Sequence, residues 1–180
     1  MIGTVVVRPA QPGELDAIVA LERSGFDDSA RWSDDSWAAE LAGADRRVLV
    51  ADRWLSVTKP GVSESVWSEE ARPSDGGLLG VATVQLVAKT ADLHRIVVAP
   101  EHRGRGIGRA LVEAGIAWAA GRRGERMLLE VEHDNAPALA LYRRLGFADL
   151  ARRDDYYGAG RHALVMQRAI AGVVTSQRGN

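Results

Sequence analysis

The apolar positions of this chain fall into short blocks whose period changes along the sequence. Thr4-Val5-Val6-Val7 is a continuous β-branched run closed by Pro9 and Pro12, which reads as a buried strand. From Glu14 to Ser24 the apolar residues Leu15, Ile18, Val19 and Leu21 recur near a 3.6-residue period and predict a helix. A second helix is predicted to start at Ser33, a good N-cap, and to end near Gly43. Trp32 and Trp37 stand at the N′ and N4 positions of a hydrophobic staple around that cap. Strands are predicted at Arg46–Asp52, Leu78–Ala88, Asp92–Val98 and Met127–Glu132. Ile107–Ala120 carries Ile107, Leu111, Ala114 and Trp118 on one helical stripe. Ala136–Leu145 is a short helix with Asn135 as N-cap and Gly146 at C′. From Phe147 to Arg168 the pattern closes as a hairpin around Gly158-Ala159-Gly160.

The resulting order is β-αα-β-β-β-α-β-α-β-β. Adjacent early strands suit antiparallel pairing, whereas the later β-α-β must cross over to a parallel neighbour. A mixed sheet with helices on both faces follows. The expected organisation is one domain over residues 1–170, with a long loop insertion at 53–77 and a flexible tail at 171–180. The insertion is rich in Pro, Gly, Ser and Glu but holds Trp54 and Trp67, so it reads as a solvated insertion or a lid.

Composition narrows the chemistry. The 180 residues include 23 basic and 24 acidic side chains, for a formal net charge of −1. No basic excess is available for a nucleic-acid coat. There is no cysteine, which excludes disulfides, thiolate metal sites and cysteine nucleophiles, and four histidines make a histidine-rich metal site a poor expectation. No stretch approaches the roughly 18 apolar residues of a membrane span. The first residues lack the basic flank and cleavage site of a signal peptide, so the expected address is the cytoplasm.

The sharpest local signal is Arg103-Gly104-Arg105-Gly106-Ile107-Gly108, between a strand and a helix, with Arg109 following. Glycines let backbone amides approach a ligand closely, and a helix N-terminus attracts anions, so a phosphate or pyrophosphate is the natural guest. A Walker loop is excluded because no Gly-Lys pair exists, and the glycine spacing is not that of a dinucleotide fingerprint.

Leu93-His94-Arg95-Ile96-Val97-Val98-Ala99-Pro100-Glu101-His102-Arg103, followed by Gly104–Leu111, resembles the motif A region of the GNAT superfamily of acyl-CoA-dependent N-acetyltransferases. Leu129-Glu130-Val131, Asp134–Ala138 and Ala140-Leu141-Tyr142-Arg143-Arg144-Leu145-Gly146-Phe147 resemble its second motif. With Arg152–Tyr157 and Ala163–Met166, this set looks like the RimI-type ribosomal-protein-alanine N-acetyltransferases. Arg31-Trp32-Ser33 matches the Pro-Trp-Ser of that group except for Arg31, and the 53–77 insertion departs from it.

The resemblance implies the GNAT acyl-CoA N-acyltransferase fold, a mixed, mostly antiparallel sheet with helices on both faces. It implies acetyl-CoA as cosubstrate and no metal. Transfer would be direct, to a protein N-terminal α-amine, with a ribosomal protein beginning with Ala as partner, and the enzyme a monomer or weak homodimer. The pantetheine would pair with the backbone of Ile96, Val97 and Val98. The pyrophosphate would lie on Arg103, Gly104, Arg105, Gly106, Ile107, Gly108 and Arg109, and Asn135 and Tyr142 would also meet the cofactor. Glu130 would be the general base and Tyr142 the general acid. Strand alternation puts Leu128, Glu130 and Glu132 on one face, away from Leu129 and Val131, so Glu132 is a rival base. Trp32, Glu132, Tyr156 and Tyr157 would line the acceptor site, and Asp34, Asp35, Asp154 and Asp155 could steer a basic acceptor. His94 reads as a satisfied strand residue rather than a base. A small-molecule amine acetyltransferase and a non-catalytic acyl-CoA-binding module remain as alternatives.

Overall fold

The computed structural model describes residues 3–55 and 77–170. Seven strands form one sheet: β1 (Gly3–Pro9), β2 (Arg46–Leu55), β3 (Gly80–Val87), β4 (Thr90–Val98), β5 (Arg126–Glu132), β6 (Ala148–Arg153) and β7 (Ala163–Ala169). Their spatial order is β1-β2-β3-β4-β5-β7-β6. Every neighbouring pair is antiparallel except β4 and β5, which are parallel. Among the described residues four α-helices join them: α1 (Leu15–Gly25), α2 (Asp34–Ala42), α3 (Ile107–Ala120) and α4 (Ala136–Arg144). This is the expected element order.

Local chemistry sets several boundaries. Ser33 Oγ accepts from the Ser36 amide at the start of α2, and the Trp32 and Trp37 rings meet at 5.3 Å, closing the staple. Asn135 Oδ1 accepts from the Ala138 amide at 3.2 Å to open α4. Gly146 follows α4 at φ 82°, where a left-handed residue is required. β2 runs to Leu55, three residues into the expected insertion, because β1 begins at Gly3 and pairs Gly3–Val5 with Leu55–Arg53. The rest of that insertion, with Trp67, and the expected tail at 171–180 lie outside the described residues, apart from Gly77 at the insertion's end.

The two faces of the sheet are packed differently. Leu49, Ala82, Leu93, Met127, Leu129 and Met166 meet Leu111 and Val112 of α3 and Leu139 of α4 in one apolar core. On the other face Val48, Val50, Val81 and Val97 meet Ile18 and Leu21 of α1 and Trp37 of α2. That second core stops at β4. The same face of β5 presents Leu128, Glu130 and Glu132, which are half-buried and have no helix packed into a shared core with them. The β6–β7 loop reaches this open half instead.

Candidate active site

β4 and β5 hold together only briefly. Their ladder pairs Thr90–Leu93 with Arg126–Leu129 and ends there. On its other edge β4 stays paired with β3 to Val98. That ladder is interrupted: Thr83 faces Arg95 while Val84 faces Leu93, so His94 is an extra residue in β4. A bulge of this kind bends its strand, and β4 leaves β5 immediately beyond it.

The parting leaves an unpaired edge on β4. The Ala99 amide donates to the Leu79 carbonyl at 3.0 Å. With the Val81↔Val97 register, this puts the amide and carbonyl of Val97 in the ladder with β3 and turns those of Ile96 and Val98 to the open edge. Of the three residues expected to pair with a pantetheine, Ile96 and Val98 have their backbone groups on that edge. Val97 presents no backbone group to the opening, and its side chain lies in the α1/α2 core.

The Gly-rich turn sits at the end of the same strand. Gly104 and Gly106 have φ of 74° and 83°, and a Cβ at either would meet nothing within 4 Å. Their positive φ and the open space around them make a cradle lined by backbone. Gly106 caps α3, so the first amides of that 14-residue helix face the cradle. A diphosphate fits this donor set, and an extended amide-bearing arm fits the edge of Ile96 and Val98. The arginines divide. Arg105 and Arg109 are exposed, with Arg109 pairing with Glu113 at 2.9 Å. Arg103 is engaged elsewhere: it donates to the Val98 carbonyl at 3.2 Å and the Gly25 carbonyl at 3.1 Å, tying the end of α1 to β4. Ile107 is buried and packs in the α3 core.

Where the strands part, titratable groups gather. Glu130 points to the open face, as alternation requires, and is 2.5 Å from Arg153. The Tyr156 hydroxyl donates to Glu130, which holds that phenol above its ordinary pKa, with burial adding to the effect. Glu132 pairs with Arg161, whose Nε lies 2.8 Å from Oε1. Tyr157 is pushed up to about 12, first by burial and then by the charges of Glu130, its neighbour Tyr156 and Glu132. Tyr142 is 4% exposed, lies edge-on to Phe147 at 5.8 Å, and is raised well above the ordinary range by burial, with a smaller effect from Tyr157. It is therefore a neutral phenol, able to donate a proton, at physiological pH. Glu130, Glu132, Tyr156 and Tyr157 are thus electrostatic neighbours, with Tyr142 joined to them through Tyr157.

Other expected residues are placed differently. Trp32 packs into the α1/α2 core and its amide donates to Glu22 Oε1 at 3.0 Å. Asp34 is 3.4 Å from Arg23, and Asp154 is 2.8 Å from Arg152 and 3.2 Å from His162. Sequence reasoning missed Arg153 and Arg161, the cations against Glu130 and Glu132. It also missed Arg95, which the bulge places over the Phe26 ring at 3.7 Å and against Glu22 and the Ala30 carbonyl. No local pattern marks these partners, because the β5-β7-β6 register and the bulge create them. Among the described residues no group of three or more His, Cys, Asp and Glu could hold a metal ion. No helix among them is long and apolar enough to cross a membrane.

The chain is similar to known proteins. The chain is 34% identical over 177 residues to a streptothricin acetyltransferase of Streptomyces lavendulae, covering 91% of this chain and 94% of that one. It is 27% identical over 161 residues to a putative [ribosomal protein bS18]-alanine N-acetyltransferase of Bacillus subtilis, covering 89% and 92%. The crystal structure of the ribosomal-protein-S18-alanine N-acetyltransferase from Escherichia coli superposes with a TM-score of 0.74 at 24% identity, covering 98% of this chain and all of that one. Residues 29–147 match the model of the acetyltransferase (GNAT) family. With the parted parallel strands and the glycine cradle at the head of α3, that match makes this chain a member of the GNAT acetyltransferase family.

Proposed function

We propose that the protein transfers the acetyl group of acetyl-CoA to a protein N-terminal α-amine, with a ribosomal protein beginning with Ala as the acceptor and the cytoplasm as its location. The observation that carries this reading is the cluster of Glu130, Tyr142 and Tyr157 where β4 and β5 part, on a half-face without a covering helix. A polypeptide end can enter across β5, β7 and β6. The names of the Bacillus subtilis and Escherichia coli proteins support it.

Acetyl-CoA would lie with its pantetheine along the edge of Ile96 and Val98, where Arg103 already holds the Val98 carbonyl, and its diphosphate on the Gly104–Gly106 cradle and the first amides of α3. Bound there, it supplies a thioester whose carbonyl carbon accepts a nucleophile. Asn135, already capping α4, would also meet the cofactor. A protein α-amine has an ordinary pKa near 7.7–8.0, so a modest base suffices. Glu130 takes the proton from the attacking nitrogen, and Tyr142, held neutral by burial, donates one to the departing sulfur. Tyr156 and Tyr157 orient the acceptor, and Arg153 and Arg161 hold Glu130 and Glu132 in place until it arrives.

A second reading has a specific observation in its favour. The 34% identity to the streptothricin acetyltransferase runs along nearly the whole of both chains, so a small cationic amine is the rival acceptor. Mass spectrometry decides between them. The enzyme is incubated with acetyl-CoA, peptides with a free N-terminal Ala, blocked peptides with internal Lys, and small amines including streptothricin. The reading expects one acetyl group on the peptide α-amine, lost in Glu130→Gln. Acetylation of small amines alone overturns it in favour of the rival. Binding of acetyl-CoA without transfer to any amine points to a non-catalytic module.

A further inference from the structure

The bulge in β4 creates a feature that this scheme does not use. His94, the extra residue, and Arg95 both turn toward the α1/α2 side of the sheet. His94 Nδ1 lies 3.2 Å from Glu40 Oε1. Glu40 is 5% exposed, on α2 behind the sheet. Its carboxylate also accepts from Thr83 Oγ1 at 2.6 Å and Arg46 Nη1 at 2.5 Å. Burial opposes ionisation of Glu40. The hydrogen bonds from His94 and Thr83 and the charges of His94 and Arg46 outweigh it, holding the carboxyl below its ordinary range. The group facing His94 is therefore a carboxylate, which fixes the roles in the ring. A carboxylate only accepts, so Nδ1–H donates to Glu40 and Nε2 is the ring nitrogen left outside that bond.

His94 is also where the strands part. Leu93 is the last residue of β4 paired with β5, and Glu130 follows that pair on β5. Asp92 lies within electrostatic reach of both His94 and Glu130: it is raised mainly by burial, lowered by His94 and raised by Glu130. Of the charged groups on this side of the sheet, Glu40 from α2 contacts the imidazole and Asp92 on β4 feels its charge; Arg46 from β2 shares Glu40, Glu130 from β5 acts on Asp92, and the next residue of β4, Arg95, is paired with Glu22 from α1. The His94 side chain is 26% exposed and so communicates with water.

Acetylation of an ammonium releases one proton more than the sulfur takes up, and such a group could receive it. An acceptor arriving as an ammonium must lose two protons to become an amide nitrogen. One ends on the thiolate sulfur, and the other must leave the site. Glu130 can carry the first, returning it through the phenol of Tyr142. Nothing in that circuit removes the second.

We propose that His94, held by Glu40, is the second proton acceptor of the site. Its Nε2 takes the surplus proton of the incoming ammonium, directly or through one water, and passes it to solvent. The N–H bond of the ammonium breaks as the Nε2–H bond forms, and the imidazolium is balanced by Glu40. The free amine then forms the N–C bond, the C–S bond breaks, and the nitrogen's remaining extra proton follows the Glu130–Tyr142 route to sulfur. This inference rests on amine acetylation but not on which amine is the acceptor.

The test has two arms. Long-range 15N NMR of the imidazoles reads the tautomer without turnover. The Nδ1–H form is expected for neutral His94 in the wild type, and the Nε2–H form would overturn the proposal. The second arm measures kcat against pH with whichever amine, peptide or small molecule, the wild type acetylates. His94→Asn keeps a donor for Glu40 but removes the base. It is expected to lower kcat about 100-fold, with the KM for acetyl-CoA unchanged and the acidic limb of the profile altered. Glu40→Gln removes the counter-charge, so the acidic limb should move to lower pH. Activity of His94→Asn within twofold of wild type, or an unmoved limb in Glu40→Gln, means the pair only braces the bulge. Should His94→Asn fail to fold, the tautomer and Glu40→Gln still decide. Transfer to small amines but not peptides would overturn the acceptor assignment while leaving this test intact.

Discussion

One face of the sheet is built in two ways. Under α1 and α2, over β2–β4, the carboxylates are sealed in: Glu22 is 1% and Glu40 5% exposed, each tied to a cation brought from another element. Over β5, β7 and β6 the carboxylates are also paired, but Glu130 and Glu132 are 27% and 32% exposed and their arginines roughly half exposed. The two halves use the same chemistry for different ends. A buried pair cannot be opened without leaving a naked charge in the core, so it fixes the strands. A pair in contact with water exchanges partners at little cost, which a proton-transferring carboxylate needs. His94 lies on the seam, its carboxylate in the sealed half and its opening in the other.

Removing Glu130's function should produce the largest effect without touching the fold. Glu130→Gln is expected to cut kcat by about 10²- to 10⁴-fold while the melting temperature stays near wild type. A large drop in stability would show that the open half is structural after all. In the sealed half the consequence is reversed. Arg95→Met strands Glu22 in the core and should cost about 3–5 kcal/mol, read from urea unfolding. A loss below 1 kcal/mol would erase the contrast between the halves.

Gly106→Ala sharpens the comparison from the cofactor side. A side chain at φ 83° costs about 1–2 kcal/mol, and it intrudes on the cradle. The KM for acetyl-CoA should rise more than kcat falls, which initial-rate kinetics will separate. pH acts on the sealed half through Glu40. Its folded pKa is lower than its unfolded one, so its contribution is fully present above the ordinary carboxylate pKa and is lost as pH falls through the lower folded value. Melting temperatures below pH 5 should fall less steeply in Glu40→Gln than in wild type. The smallest effect belongs to the exposed pair of Glu132: Arg161→Ala should shift stability by under about 1 kcal/mol in the same urea experiment.

Much of this was legible along the chain. The caps at Ser33 and Asn135 and the turns at Gly104, Gly106 and Gly146 act within a few residues, so their chemistry stands in the local sequence. Alternation in Met127–Glu132 likewise told which side Glu130 takes. The roles of Glu130 and Tyr142 came only from the resemblance; the structure puts Glu130 on the open face and buries Tyr142 against Phe147.

What the sequence did not carry is register. A slip of one residue reverses every side chain on a strand, and the slip at His94 is visible only once β3 lies against β4. That single extra residue turns the edge of Ile96 and Val98 away from β3, removes Val97 from it, and turns His94 and Arg95 to the same side. The partners of Glu130 and Glu132 come from residues more than 20 positions away through the β5-β7-β6 ladder. Local pattern determined the elements, their order and the glycine cradle, because these depend on neighbours in the chain. Tertiary structure alone decided which carboxylates are sealed and which are open, because burial and pairing depend on what the other strands and helices bring alongside.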